Sequence, residues 1–293
     1  MYDIMTKIAA LDHVLSYLLP SLSVITIPLI MFNIYVLLRQ DAFHRASHFI
    51  YLNILLMDAL NAIGGILWAS FLETHEHVKA WYDALRMFRV MFKGEIILLF
   101  GLSIVRLLAL KLSTALIIDK LKYVAYTSSA LAWTVGIGLL IYRDLVKLTW
   151  QNYLGTNLCF LLIVIITAGF YLYIVISIAQ NDQSELYARA NKTACLIFLS
   201  FVFAYIYFTF AYCYFIYIII EKKRRCSPRT WLGVFGCWST SQVGLGFMLM
   251  QSLANNLILI TQDEVMCFIK ANLRFYKALW MEWRPRNGYE TIV

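Results

Sequence analysis

Seven apolar runs, each of roughly twenty residues or more, follow one another along the chain at 15–38, 49–72, 88–110, 123–142, 155–179, 194–220 and 231–262. A helix rises about 1.5 Å per residue, so each run reaches across the roughly 30 Å of a bilayer's hydrocarbon core. A soluble domain has one interior in which to hide such segments, whereas lipid accepts apolar surface on every side. Hydrophobic residues make up 61% of the chain and charged ones only 14%, which rules out the soluble alternative. Four prolines and no low-complexity tract argue for one continuous domain. The predicted fold class is therefore all-α and integral to the membrane: a seven-transmembrane helix bundle spanning 15–262. After it, "DEVMCFIKANLRFYKALW" alternates Val265, Phe268, Ile269, Leu273 and Leu279 with Lys270, Arg274 and Lys277. That pattern predicts a short amphipathic helix over 263–280, lying in the membrane interface after helix seven.

Other bulk features are less decisive. The six cysteines (Cys159, Cys195, Cys213, Cys226, Cys237 and Cys267) form no C-x-x-C pair, and most sit in apolar runs, as small buried side chains do. No cleavable signal peptide is evident before the first run. The net charge of +8 fits basic membrane edges, and no basic stripe interleaved with aromatics points to nucleic acid. With the N-terminus outside, 13 Lys and Arg fall on the cytoplasmic side and 12 outside, so charge asymmetry does not set the orientation. In that orientation the Asn191-Lys-Thr193 sequon faces the cytosol and carries no glycan.

Charged groups inside spanning helices are costly, so each is a functional candidate. In "FKGEIILLFGLSIVRLLAL" of helix three, Glu95 and Arg106 are eleven residues apart. Eleven residues is about three turns, which puts both on one face with Phe88, Phe92, Leu99 and Leu102. Glu95 then lies about 16 Å from Arg106, near mid-membrane. Asp58, nine residues into helix two, reaches about the same depth. If the two helices pack together, two carboxylates meet in a dry site, where they either share a proton or hold a small hard cation such as Na⁺. The plainer alternative is two separate acids, each protonated and hydrogen-bonded to a neighbour. Asn33 in helix one and Asn255 and Asn256 in helix seven lie nearer the cytoplasmic end, where amides bridge helices. With Asp58 they form a polar core able to hold two helix arrangements.

These residues, in this order, resemble the rhodopsin-like (class A) G-protein-coupled receptors along essentially the whole chain. The resemblance rests on Asn33 in helix one and on Asn53 with Asp58 ("NILLMD") in helix two. Ser103, Arg106 and Ala109 ("SIVRLLA") carry it in helix three, Trp133 ("LAWTVG") in helix four, and Asn256 opening "NLILI" in helix seven. It implies an extracellular N-terminus (1–14), a cytoplasmic tail (281–293), a multi-pass protein of the plasma membrane, and coupling of a small-molecule ligand to a heterotrimeric G protein. Arg106, Asn255 and Asn256 would then belong to the coupling switch. Glu95 beside the helix-two acid, the short N-terminus and the short connection "NDQSELYARANK" are similar to the odorant and chemosensory branch. Val105 stands where that family carries an acid before the arginine, and Trp81 where it carries an outer cysteine. The usual prolines of helices five to seven are also missing. Phe88 replaces the aspartate of amine receptors, and helix seven has no lysine for a retinal Schiff base.

Phe88, Phe92 and the aromatics of "FAYIYFTFAYCYF", among them Tyr205, Phe208 and Tyr212, are candidates to line a ligand pocket. The same rings also suit packing against helices or lipid. "ETHEH" (73–77) has imidazole and carboxylate groups, but a solvated loop explains it better than a metal site, and no metal is expected. "EKKRRCSPR" (221–229) reads as a solvated basic rim able to attract anionic ligands or lipid head groups. The terminal "YETIV", with Thr291 two before Val293, matches peptides that PDZ domains take up. An intramembrane enzyme finds no support, since no H-E-x-x-H or G-x-S-x-G occurs. The rival to a receptor is a seven-helix channel or transporter that uses Asp58 and Glu95 as an ion path.

Overall fold

The computed structural model describes residues 2–39, 45–74, 78–111, 116–145, 150–180, 191–206 and 242–261, with Lys270 and Arg274. Every described segment is helical, and none is a strand. In chain order these are α1 (Tyr2–Arg39), α2 (Ala46–Thr74), α3 (Val78–Lys111), α4 (Leu116–Leu145), α5 (Trp150–Gln180), α6 (Asn191–Ile206) and α7 (Gln242–Ile260). Each overlaps one of the predicted apolar runs. The later parts of runs six and seven's opening, Phe208 and Tyr212, the basic rim, most of "ETHEH", and Thr291 with Val293 lie outside the described residues. Of the amphipathic segment only Lys270 and Arg274 are described, and both are exposed and helical.

Among the described residues, three stretches are long and apolar enough to cross a membrane: Tyr17–Arg39, Ala46–Leu67 and Gly155–Ile178. Residues 2–14, expected as a short lead, are helical and continuous with the first span. No glycine or proline interrupts the chain between Tyr2 and Leu19, so nothing stops the helix from running back. Further along α1, Ser21, Ser23 and Thr26 turn their hydroxyls onto the carbonyls of Tyr17, Leu19 and Leu22. Satisfied within the helix, they can sit among apolar neighbours at little cost.

The contacts fix the direction of each helix. Tyr51 reaches Arg106, and Asn61 reaches Glu95, so α2 and α3 are antiparallel. Phe100 stacks on Phe170, and Lys111 covers Tyr173, so α3 and α5 run together. Ser200 with Asn255 and Phe203 with Phe247 make α6 and α7 antiparallel. Trp133 on Asn53 and Phe49 on Tyr126 align α4 with α2. The helices alternate up and down, and the Arg106 end of α3 shares one end of the bundle with Arg39, Arg45 and Ile260.

At the centre stands α3, packed against α2, α4, α5 and α7. Nearly all of its side chains from Met91 to Val105 are buried. Its close approach to α4 has a sequence cause. Gly94 and Gly101, two turns apart on one face, oppose Ala132 and Ser128 on α4. A Cβ on Gly94 would stand 2.7 Å from the Met57 methyl carbon and 3.3 Å from the Ala132 carbonyl oxygen, and one on Gly101 would collide with the Ser128 side chain. Small residues on both helices bring the backbones together, as is common where no water drives helices to associate.

The outer helices reverse the soluble pattern. Leu162 and Ile165 on α5 and Leu199 and Phe203 on α6 are each more than half exposed, as are Met31 on α1 and Leu131 on α4. No described side chain of α3 joins the exposed large hydrophobic set. Polar groups such as Asp58, Glu95, Ser252 and Asn256 are instead at the centre, 1% exposed or less. An apolar exterior around a polar interior is the arrangement lipid selects.

Candidate functional site

Helix periodicity assembles the centre. On α7, "QSLANN" presents Gln251, Ser252, Asn255 and Asn256, at i, i+1, i+4 and i+5, along one side. On α2, Asp58 and Asn61 are three apart and share a face. On α3, Glu95 points to where these two faces meet. Ser252 Oγ donates to Asp58 Oδ1 through a short hydrogen bond, and Asn255 Nδ2 reaches Asp58 Oδ2 at 3.4 Å. Gln251 Nε2 donates to Glu95 Oε2 at 2.7 Å and Asn61 Nδ2 to Glu95 Oε1 at 3.3 Å. The Asp58 and Glu95 carboxyls are themselves within hydrogen-bonding reach of each other. All six of these groups are at most 4% exposed.

Each carboxyl oxygen thus faces a neutral donor. Such a cage stabilises one negative charge well, while a second at contact distance needs a compensating positive charge. A shared proton or a bound cation meets that need equally. Asn61 Oδ1 is buried with no hydrogen-bond partner among the described residues, although its amide nitrogen already serves Glu95. A carboxamide oxygen of this kind, one turn of α2 from Asp58, is the type of ligand that a hard cation takes beside carboxylates.

Asn33 and Asn256, expected in the same polar core, sit one step away from the acids. Asn33 Nδ2 donates to Asn256 Oδ1 at 2.9 Å and to the Asn256 carbonyl at 3.1 Å, joining α1 to α7. Asn256 in turn donates to the Ser252 carbonyl at 2.7 Å. Asn33 therefore touches the acid pair only through α7. Asn255 is the more central amide: its Oδ1 accepts from Ser200 of α6 at 2.8 Å while its nitrogen reaches Asp58. Five helices, α1, α2, α3, α6 and α7, are linked by this one network.

The acid pair is flanked by two further layers. About three turns toward one end, Arg106, half-buried, donates to Tyr51 Oη at 3.3 Å. Tyr171 of α5 and Cys195 of α6 lie near enough to the guanidinium to feel its charge. Val105, next to Arg106, has no side-chain acceptor to offer the guanidinium, and Tyr51 supplies one. Tyr171 stacks on Phe198 with ring centroids 4.8 Å apart, and its buried hydroxyl makes no hydrogen bond among the described residues. On the other side, Phe92 stacks on Phe201 (4.7 Å) and Tyr205 (6.0 Å). Two of the expected pocket aromatics, Phe92 and Tyr205, are thus stacked together with α6, while Phe88 is placed only as part of the α3 backbone.

Sequence reading of the spans picks out Asp58, Glu95, Arg106, Asn33, Asn255 and Asn256, and passes over Asn61, Ser200, Gln251, Ser252 and Tyr51. Their spacing was the available signal: Tyr51 lies seven and Asn61 three residues from Asp58, each on its face. It also passes over Lys93, a charged residue two positions before Glu95, whose ammonium sits 5.4 Å from the Phe160 ring centroid on α5. In comparison with known proteins, neither a family model nor a curated protein sequence matches this chain.

Proposed function

We propose that the chain is a multi-pass receptor of the plasma membrane, with seven spanning helices and an extracellular N-terminus. In this reading it couples a small ligand, in the manner of chemosensory receptors, to a heterotrimeric G protein at the cytoplasmic end. The observation that carries the reading is the buried polar network joining five helices. A switch needs an element with two arrangements of similar free energy, and a network of exchangeable hydrogen bonds is one. Ligand binding among the outer halves of α3, α5 and α6 would favour one arrangement, and the cytoplasmic layer around Arg106 would open for the G protein. The test is a ligand panel with a second-messenger readout, run on the unmutated protein and on Arg106→Ala. Active ligands should lose their response in Arg106→Ala while surface expression holds; an undiminished response removes Arg106 from the coupling role.

The buried acid pair also favours a second reading, an ion channel or transporter in which Asp58 and Glu95 form a relay. Epitope tags on the two termini of intact cells separate the alternatives, since an extracellular C-terminus is incompatible with the receptor. In either case the pair's ligand can be tested directly. Replacing Na⁺ with N-methylglucamine is expected to lower the melting temperature of the purified protein, and Asp58→Asn or Glu95→Gln is expected to abolish that difference. Identical melting curves of the unmutated protein in the two media would assign the pair to a shared proton.

A further inference from the structure

Of the exposed tyrosines among the described residues, only Tyr17 lies away from the Arg106 end of the bundle. Tyr35, Tyr123, Tyr126 and Tyr173 all lie at that end, on α1, α4 and α5, and Tyr123 is the most exposed at 72%. Tyrosines on the outside of a spanning bundle collect at the head-group level, where the ring meets hydrocarbon and the hydroxyl meets water. These four therefore mark the plane at which this end leaves the membrane.

Cations stand at and just beyond that plane. Arg39 is four residues past Tyr35, about 6 Å along α1, and its guanidinium lies 5.5 Å from that ring's centroid. Lys111 ends α3 with its ammonium 5.3 Å from the Tyr173 centroid on α5. On α4, Lys120 is three residues outside Tyr123, and Lys122 is four outside Tyr126. Lys192, near the start of α6, is three residues outside Cys195, which lies near Arg106. Lys122 is partly exposed and the other four cations are exposed. Lys120, Lys122 and Lys192 form no ion pair or hydrogen bond among the described residues. Against all five, the described residues of this end supply one carboxylate, Asp119.

The arrangement selects the partner. A polyphosphate ligand needs several cations that converge on one point. These are instead spread over α1, α3, α4 and α6, with α2 packed between α1 and α4. Even Lys120 and Lys122, two apart on one helix, point about 200° from each other. A dispersed band of charge at the tyrosine level fits an extended surface of single negative charges, and the surface that meets a bundle there is the lipid head-group layer. Each basic residue near an anionic leaflet contributes about 1 kcal/mol.

We propose that this collar binds monoanionic phospholipid head groups, of the phosphatidylserine kind, in the cytoplasmic leaflet. In a cell that leaflet carries the negative surface potential, so the same contact holds the Arg106 end on the cytoplasmic side. The proposal needs a membrane-spanning bundle but neither a ligand nor a G protein. The purified full chain is reconstituted into vesicles of phosphatidylcholine and phosphatidylserine, extracted gently, and its copurifying lipids are quantified. At low salt the ratio of phosphatidylserine to phosphatidylcholine is expected to exceed that of the vesicles about fivefold, and to fall toward it in high salt. Changing Lys111, Lys120, Lys122 and Lys192 together to glutamine should remove most of the enrichment, while changing the same four to arginine should keep it. A vesicle-like ratio for the unmutated chain at low salt, or an enrichment that survives the four glutamines, would overturn the proposal. So would selection of phosphatidylinositol bisphosphate with none of phosphatidylserine, which would mean a point site in place of a surface. If the fourfold glutamine variant does not fold, Lys120→Gln with Lys122→Gln, at the start of α4, decides by the same readout: a partial loss is expected, and no loss would overturn the proposal.

Discussion

Gly101→Val is expected to leave little monodisperse protein after detergent extraction and to lower the melting temperature of what remains by about 6 °C or more. The cause is the spacing between α3 and α4. Even the first added carbon, a Cβ, meets both the Cβ and the Oγ of Ser128. The hydroxyl can rotate away, but the Ser128 Cβ is fixed to the α4 backbone, so one helix must move. Gly101→Ala sets two effects against each other. Alanine gains about 1 kcal/mol in helix propensity, while overpacking a close interface costs about 1–3 kcal/mol. The clash is expected to win, and Ser128→Gly in the same chain should recover much of the loss. Gly138 supplies the control: a Cβ there meets nothing within 4 Å, so Gly138→Ala should be neutral or mildly stabilising. Equal effects at Gly101 and Gly138 would mean that propensity alone governs both sites.

That contrast also shows where sequence reading runs out. Apolar runs locate the helices because hydrophobicity over twenty residues is a bulk property that any packing must respect. The Asp58–Glu95 pair was legible for a similar reason: charge in a span is rare, and helix geometry converts residue number to depth. Which glycine meets a neighbouring helix is another matter. Gly94, Gly101 and Gly138 look alike in sequence, and only the rotation of α3 against α4 separates them. The same holds for donors. Gln251 and Ser252 are ordinary residues of an apolar helix until the turn of α7 aims one at Glu95 and the other at Asp58. Asn33 illustrates the converse: its depth was readable, but its attachment to Asn256 instead of the acids depends on the rotation of α1. Periodicity gives depth and face within a helix, and the azimuth between helices comes from packing.

The donors give the second large effect. Gln251→Leu removes the shortest hydrogen bond made to Glu95 and leaves a fully buried carboxyl oxygen short of a donor. A buried polar group stranded in this way costs about 1–3 kcal/mol, and more if it is charged, so a loss of about 3 kcal/mol is expected. Size alone does not account for it, because leucine fills much of the same volume. Glu95→Leu should be destabilising too, since it strands the amides of Gln251 and Asn61 together. The double variant then decides the matter: with both partners apolar, nothing is stranded between these two positions, and the combined loss should fall short of the sum by about 1.5 kcal/mol or more. Thermal unfolding of the four proteins in one detergent measures it, and losses additive within about 0.5 kcal/mol would show that Gln251 and Glu95 do not act on each other. The receptor reading adds a consequence that a passive scaffold lacks. Gln251 ties α7 to α3 at the level where α7 also holds α2, α6 and α1. Releasing that tie removes free energy from one helix arrangement only, so Gln251→Leu should change ligand-free second-messenger output, whereas Gly101→Val should reduce the amount of protein and leave the output per folded molecule unchanged.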